Sequence, residues 1–477
     1  MISRFDLELH FEMAPLALPL AEAGFFFWIL SLSLGSWSAS FLSEMLIRAR
    51  LLDAPSFGVL RYVADGGVAL DPASGQIAAI GPWAEVVREF AHLPTLQAPE
   101  GEDWLLVPGL IDTHAHLPQY PAVARRESSL LPWLKNHVFP LEAKFRGEAQ
   151  RAFVRDFFEE VLANGSTTVV LYSAIWAETT ELAFEVAEEK GLRAIIGKVM
   201  MDEGSYGDAD PWQARALSLA QCRELIERWH GAAGGLLEFA VSPRFAVTCS
   251  RELMREAGAL AREFGTYVQT HLSENEGEIE AVRARFPEAA SYAAVYEQAG
   301  LLSPKTLLGH CLHLSPEEIA LLAARGARVT HCPTSNFFLN SGLFPLGALR
   351  AAGIPVSLGS DVAGGPELNL WQVMRSAIEM QKARAFQEAG VAELTPAEAF
   401  YFATAGGAAV LGKEGQIGLL EAGKEADLLL LDLNRVFPLG GRYSVPEISA
   451  EQIVTACVYR GHPSATVASW VRARRVR

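Results

Sequence analysis

The feature that most constrains this chain is an eightfold alternation of short apolar runs with amphipathic stretches, beginning near residue 104. The runs are LLVPGLIDTHAH (105–116), TTVVLYSA (167–174), RAIIGKVMM (193–201), LLEFAVSPRF (236–245), YVQTHLSE (267–274), TLLGHCLHL (306–314), RVTHCPTSN (328–336) and PVSLGSDVAGG (355–365). Such runs suit strands buried on both faces of a parallel sheet. Between them, TELAFEVAEEKG, SRELMREAGALAREFG and PEEIALLAARG carry apolar residues at i, i+3 and i+4, and each closes on a glycine suited to a helix C-cap. Eight successive βα units predict an α/β fold, a (β/α)8 TIM barrel whose chemistry sits at the C-terminal ends of the strands.

A chain of 477 residues has room for such a barrel and one smaller domain. The barrel is expected over residues 105–412. The flanks, 45–104 and 413–477, read as strand-like and glycine-punctuated, with GQIGLLEAGKEADLLLLDL as the clearest hairpin. Neither flank is long enough for a core of its own, so both chain ends are expected to pair into one small β-sandwich domain.

The net charge of -16 argues against a nucleic-acid partner, which needs a basic face, and is compatible with a small neutral substrate. The five cysteines, Cys222, Cys249, Cys311, Cys332 and Cys457, are scattered and form no CxxC pair. That pattern speaks against a disulfide framework and for a reducing, cytoplasmic setting. Residues 24–43 are uncharged over about one bilayer span. Glu12, Glu22 and Glu44 lie around them in place of the basic cluster that orients a membrane helix or opens a signal peptide. The reading taken is that Met45 is the natural start, since MLIRARLLDAP opens a regular β-rich segment. Residues 1–44 are then a non-native or disordered extension with no membrane role expected; a docking segment or an anchor are the alternatives. A chain starting at Met45 is expected to be soluble and active.

The informative residues are polar ones at the ends of the apolar runs. The first run ends His114-Ala115-His116, and alternate strand residues share a face, so both imidazoles can reach one ion. The fifth run carries His271, the sixth His310 and the eighth Asp361. Imidazoles with a carboxylate and no thiolate suit zinc or iron(II). Each alone reads as an ordinary polar residue, and Asp361 as a helix cap. Four of the 11 histidines falling at one level of a single barrel favour a metal centre. Glu274, three residues after His271, can move protons beside metal-activated water; its bland reading is a helix-first-turn carboxylate.

PGLIDTHAH, the histidines of the fifth and sixth runs and LGSDVAGG together resemble the amidohydrolase superfamily. LLPWLKNHVFP, NGSTTVVLY, GKVMMDEG, SPRF, THLSENEGEIE, THCPTSNFFLNSGLF and ATAGGAAVLG are similar to its guanine-deaminase branch across residues 105–430. The resemblance implies one zinc held by His114, His116, His271, His310 and Asp361. Relatives with two metals use a carboxylated lysine at the end of strand four, where this chain has SPRF. It further implies hydrolytic deamination of guanine to xanthine and ammonia, with Asp361 taking a proton from the attacking water and Glu274 serving N3 and the leaving amine. Gln119 and Arg244 are the implied contacts to the purine edge and its 6-oxo group. Phe245 is expected against the ring, and Trp133, His331 and Asn336 as pocket walls, each with simple packing as the alternative. A homodimer is expected for such a barrel. The rival readings are a deaminase of another amino-purine or a triazine, and a non-enzymatic protein of the same fold.

Overall fold

The computed structural model describes residues 45–207, 210–441 and 448–477. Residues 1–44 and the readings offered for them lie outside the described residues. Among the described residues no helix is long and apolar enough to cross a membrane.

The chain opens with β1 (Met45–Ser56), β2 (Val59–Asp71), β3 (Gln76–Pro82), β4 (Thr95–Gln97) and β5 (Trp104–Pro108). It continues through β6 (Leu110–His116), β7 (Ser166–Tyr172), β8 (Arg193–Gly197), the short β9 (Val199–Met200) and β10 (Leu237–Pro243). Then follow β11 (Tyr267–Leu272), β12 (Thr306–His310), β13 (Arg328–His331) and β14 (Val356–Leu358). It ends with β15 (Leu428–Asp432), β16 (Thr466–Val471) and β17 (Arg474–Arg475).

Neighbours in the order β6-β7-β8-β10-β11-β12-β13-β14 all pair in parallel. The ring closes where the backbone N–H of Asp361 donates to His114 O at 2.8 Å and that of His116 to Val362 O at 3.0 Å. All eight apolar runs therefore supply barrel strands. The helices Ala177–Lys190, Arg251–Phe264 and Pro316–Arg325 end on Gly191, Gly265 and Gly326, each left-handed as a C-cap requires.

The first run divides. Its leading half, β5, pairs with β1 and β15 in the outer sheet, and only β6 enters the barrel. The break falls at Gly109, where a Cβ would come within 2.0 Å of Thr167 Oγ1, so the chain passes against β7 only without a side chain.

The outer sheet runs β17-β16-β15-β5-β1-β2-β3 with β4 beside β1. It curls until Ile77 N–H donates to Lys424 O and Gly423 N–H to Ile77 O, both at 2.9 Å. One continuous sheet thus surrounds a core of Ile47, Leu51, Val68, Leu70, Leu106, Leu428, Leu430 and Trp470. The alternate residues Leu52, Leu105, Val107, Leu429 and Leu431 join the large core of the barrel. This period-two division seats the sheet on the barrel wall.

Two flank expectations are corrected. GQIGLLEAGKEADLLLLDL is not a hairpin: its LLLLD half is β15, whose partners are β5 and β16. Nor are the flanks all strand, since Trp83–Phe90 and Ala450–Arg460 are helices. The latter has a Ser449–Gln452 capping box and buries Ile453, Val454, Cys457 and Val458 at helical spacing.

Candidate active site

His114, His116, His271 and Asp361 meet at the C-terminal mouth of the barrel, all buried. His116 Nε2 lies 3.2 Å from both His114 Nε2 and His271 Nε2. Asp361 Oδ1 is 3.3 Å from His114 Nε2 and 3.2 Å from His116 Nε2. Ligands of one tetrahedral zinc, each about 2.0–2.1 Å from the ion, stand about 3.3–3.4 Å apart, so this quartet fits the metal. His271 Nδ1 donates to Arg244 O at 2.7 Å, which leaves its Nε2 lone pair facing inward. Burial drives the His116 pKa down to about 4 against the pull of Asp361, and it drives His271 well below the ordinary range. Neutral imidazoles, the form that binds a metal, are favoured at both positions.

Room for this cluster comes from glycine on neighbouring strands. A Cβ at Gly309 would fall 2.6 Å from His114 Cε1, and one at Gly359 the same distance from His114 Cβ. Beneath, Thr113 Oγ1 bonds Ser357 Oγ at 2.6 Å and Thr330 Oγ1 at 3.0 Å, a polar layer that orients the strand ends. His310 (φ 68°) and Asp361 (φ 48°) both hold left-handed backbone conformations, a strain that surrounding structure must maintain.

His310 stands apart from the quartet. Its Nε2 is 3.3 Å from Glu274 Oε2 and 3.6 Å from Asp361 Oδ2, and it has no hydrogen-bond partner. It groups with His114, Asp361 and Cys332 rather than with His116 and His271. The five-ligand set implied by the resemblance therefore divides into four converging donors and one imidazole beside them.

Glu274 is not a helix-first-turn residue. The helix Glu276–Arg285 is capped by Asn275, with Glu278 as the reciprocal carboxylate. Glu278 Oε2 accepts the backbone N–H of Glu274 at 2.8 Å and so holds it ahead of the cap. Burial, then Asp361 and Glu278, raises the Glu274 pKa well above the usual carboxylate range. Asp361 goes the other way: burial pushes it up, but the neighbouring His114 and His116 outweigh burial and hold it well below that range. Two carboxylates pushed apart in this way suit an acid and a base.

A cavity opens on these groups, with His116, His271, Glu274 and Asp361 in its lining. Gln119, Arg244, Phe245, Trp133, Leu130, Leu134 and Leu339 line the rest. The expected Gln119, Arg244, Phe245 and Trp133 are thus brought together. His331 and Asn336 are not part of this lining. The His331 ring stacks on Phe344 at 4.0 Å, and Asn336 turns its Oδ1 to His310 Nδ1 at 2.9 Å.

Sequence reading missed Glu142. Its buried carboxylate accepts from Arg244 Nη1 at 2.6 Å and from Gln119 Nε2 at 3.0 Å. It ends a helical segment, 130–142, whose middle turn Leu134–Val138 widens to a π-turn as the Phe139 N–H bonds back to Leu134 O. Pro140 follows and has no N–H to continue the α register. Phe139 lies under the Arg244 guanidinium, 5.0 Å from its ring centre. Burial lowers the Arg244 pKa, but Glu142 outweighs it and the net shift is upward. The available signal was the glutamate closing HVFPLE, an acidic residue on an otherwise apolar helix end. Tyr172, at the end of β7, was also missed; its ring stacks on His116 at 4.5 Å.

A model of the amidohydrolase family matches residues 105–466. The guanine deaminase of Dictyostelium discoideum is 38% identical over 69% of this chain and 73% of its own length. The solved guanine deaminase of E. coli superposes with a TM-score of 0.83 at 31% identity, covering 91% of this chain and 99% of its own. That of C. acetobutylicum, solved with guanine bound in its active site, gives 0.82 at 28% identity over 91% and 99%. Continuous from β5 to the start of β16, the match makes this chain a member of the amidohydrolase family, within its guanine-deaminase branch.

Proposed function

We propose that this protein hydrolyses the exocyclic C2–N bond of guanine, giving xanthine and ammonia with one zinc per chain. The observation that carries the reading is the mixed lining of one cavity. His116, His271, Asp361 and Glu274 share its lining with Gln119, Arg244, Phe245, Trp133 and three leucines. A flat heterocycle with a polar edge suits that lining.

His114, His116, His271 and Asp361 are the residues that would hold the zinc. Bound there, zinc supplies an attacking water with a pKa of about 7. Asp361 accepts the proton this water gives up as the C2–O bond forms. Glu274, kept protonated by its burial, donates to N3 and so draws charge from C2. Glu274, now a carboxylate, takes the remaining proton of the C2 hydroxyl and passes it to the amine as the C2–N bond breaks and C2=O forms. The proton held by Asp361 then returns to Glu274 as xanthine and ammonia leave. His310, with an unengaged Nε2 between Glu274 and Asp361, orients the water. Arg244 and Gln119 hold the edge that carries N1 and the 6-oxo group, placing C2 over the donors. Incubating purified protein with guanine and following ammonia together with purine absorbance tests the reading. Release of ammonia in step with xanthine supports it; no turnover by zinc-loaded protein overturns it.

A further inference from the structure

Glu142 is not part of the cavity lining, yet it contacts two residues that are, Arg244 and Gln119. We propose that Glu142 is a positioning residue that sets the hydrogen-bond polarity of the pocket and thereby selects 6-oxopurines; this rests on the guanine reading above.

A carboxylate only accepts hydrogen bonds. Paired with Arg244 at 2.6 Å, Glu142 can receive Gln119 only through the amide N–H₂, which sits 3.0 Å from its other oxygen. The amide orientation is therefore dictated by chemistry, and Gln119 Oε1 is left for the cavity. On Arg244, Glu142 and Met201 both engage Nη1, leaving the remaining N–H groups for the cavity. The pocket thus presents an acceptor from Gln119 beside a donor from Arg244. The lactam edge of guanine offers the complement, an N1–H donor beside the C6=O acceptor. An amidine edge, N1 acceptor beside a C6 amine, meets the opposite pattern at both positions. Buried polar groups left unpaired by a wrong partner are the strongest basis for discrimination. The carboxylate also lies 102 residues from Arg244 and 23 from Gln119 in the chain, so one side chain ties three elements into a single pattern.

The test compares guanine with 2-aminopurine, which keeps the C2 amine but lacks both N1–H and the 6-oxo group. In Glu142→Gln the new side chain can donate as well as accept, so Gln119 is free to turn over. The ratio of kcat/KM for guanine to that for 2-aminopurine is expected to fall at least about tenfold. Most of the guanine loss should appear in KM, as expected for an interaction made equally in ground and transition states. A general structural defect lowers both substrates alike, and an unchanged ratio overturns the proposal. If that variant does not fold, Gln119→Met removes the acceptor while sparing the ion pair. It must lower the same ratio, and a ratio equal to wild type overturns the proposal equally. Wild-type protein that releases no ammonia from guanine shows instead that the underlying reading has failed.

Discussion

Asn336 Oδ1 accepts the Nδ1 proton of His310 at 2.9 Å, which turns an unpartnered Nε2 toward Glu274, 3.3 Å away. The bond fixes the tautomer, because an imidazole that donates from Nδ1 keeps its lone pair on Nε2. Asn336→Leu removes that constraint without altering the four converging donors. It is expected to lower kcat by about 10–100-fold, the usual cost of losing such a partner. Zinc content by elemental analysis should stay at one per chain. Loss of zinc in this variant would return His310 to the ligand set.

Glu274→Gln keeps the size of the side chain and ends its proton transfers. Turnover is expected to fall by at least about 10³-fold with zinc retained, since a general acid–base group contributes about 10²–10⁴ and this one serves two steps. Asp361→Asn should cost similar activity and weaken metal binding as well, because Asp361 Oδ1 stands within 3.3 Å of two imidazoles of the quartet. Steady-state rates with metal analysis separate the two variants. Near-normal turnover in Glu274→Gln shows that the proton shuttle lies elsewhere.

Much of the barrel was legible because its signals are local. Apolar runs such as TTVVLYSA, amphipathic stretches between them and glycines at 191, 265 and 326 each depend on residues a few positions apart. His114 and His116 declared a shared face through strand alternation alone. The division at Gly109 was hidden, since Leu105–Val107 and Leu110–Ile111 are buried alike in either sheet and leave the same apolar pattern. The hairpin expected near residue 420 failed for a related reason. LLLLD is buried on both faces, and its partners in β5 and β16 come from distant sequence.

Glu142 shows the other limit. Its importance lies in a pairing with Arg244 across 102 residues, and no periodicity records which of 56 acidic residues will meet which cation. The position of His310 was similarly ambiguous. Sequence places it at the barrel mouth with the other histidines, but only the backbone at φ 68° and the bond to Asn336 separate it from the quartet.

Arg193, at the start of β8, is buried and pairs with Asp427 at 2.8 Å and with Glu425, both just ahead of β15. This contact ties the barrel to the outer sheet. Breaking a buried pair from one side costs about 3–5 kcal/mol because the partner charges stay buried. Arg193→Ala is therefore expected to lower the Tm by several degrees and to spare kcat in the protein that remains folded. Calorimetry with activity at 25 °C checks both halves. A Tm within one degree of wild type shows that the two carboxylates are hydrated or repaired.

The last prediction concerns adenine. Its amine sits on C6, away from the carbon that the metal-type donors address, and its edge lacks the oxo group that Arg244 would hold. Arg244 is buried with Glu142 as its ion-pair partner, so its remaining donors stay unpaired when adenine enters. An unsatisfied buried donor costs about 1–3 kcal/mol, more when charged, and sites built to bond a substrate group reject analogues by about 10⁴–10⁵. Guanine is therefore expected to exceed adenine by at least about 10³ in kcat/KM on this unpaired-donor argument. Arg244→Ala should remove most guanine activity and leave zinc in place, since Arg244 touches the quartet only through its backbone oxygen at His271. The measurement is ammonia release from both purines by both proteins, with metal content in parallel. Equal turnover of adenine and guanine by wild type, or an unchanged kcat/KM in the alanine variant, would remove Arg244 from substrate recognition.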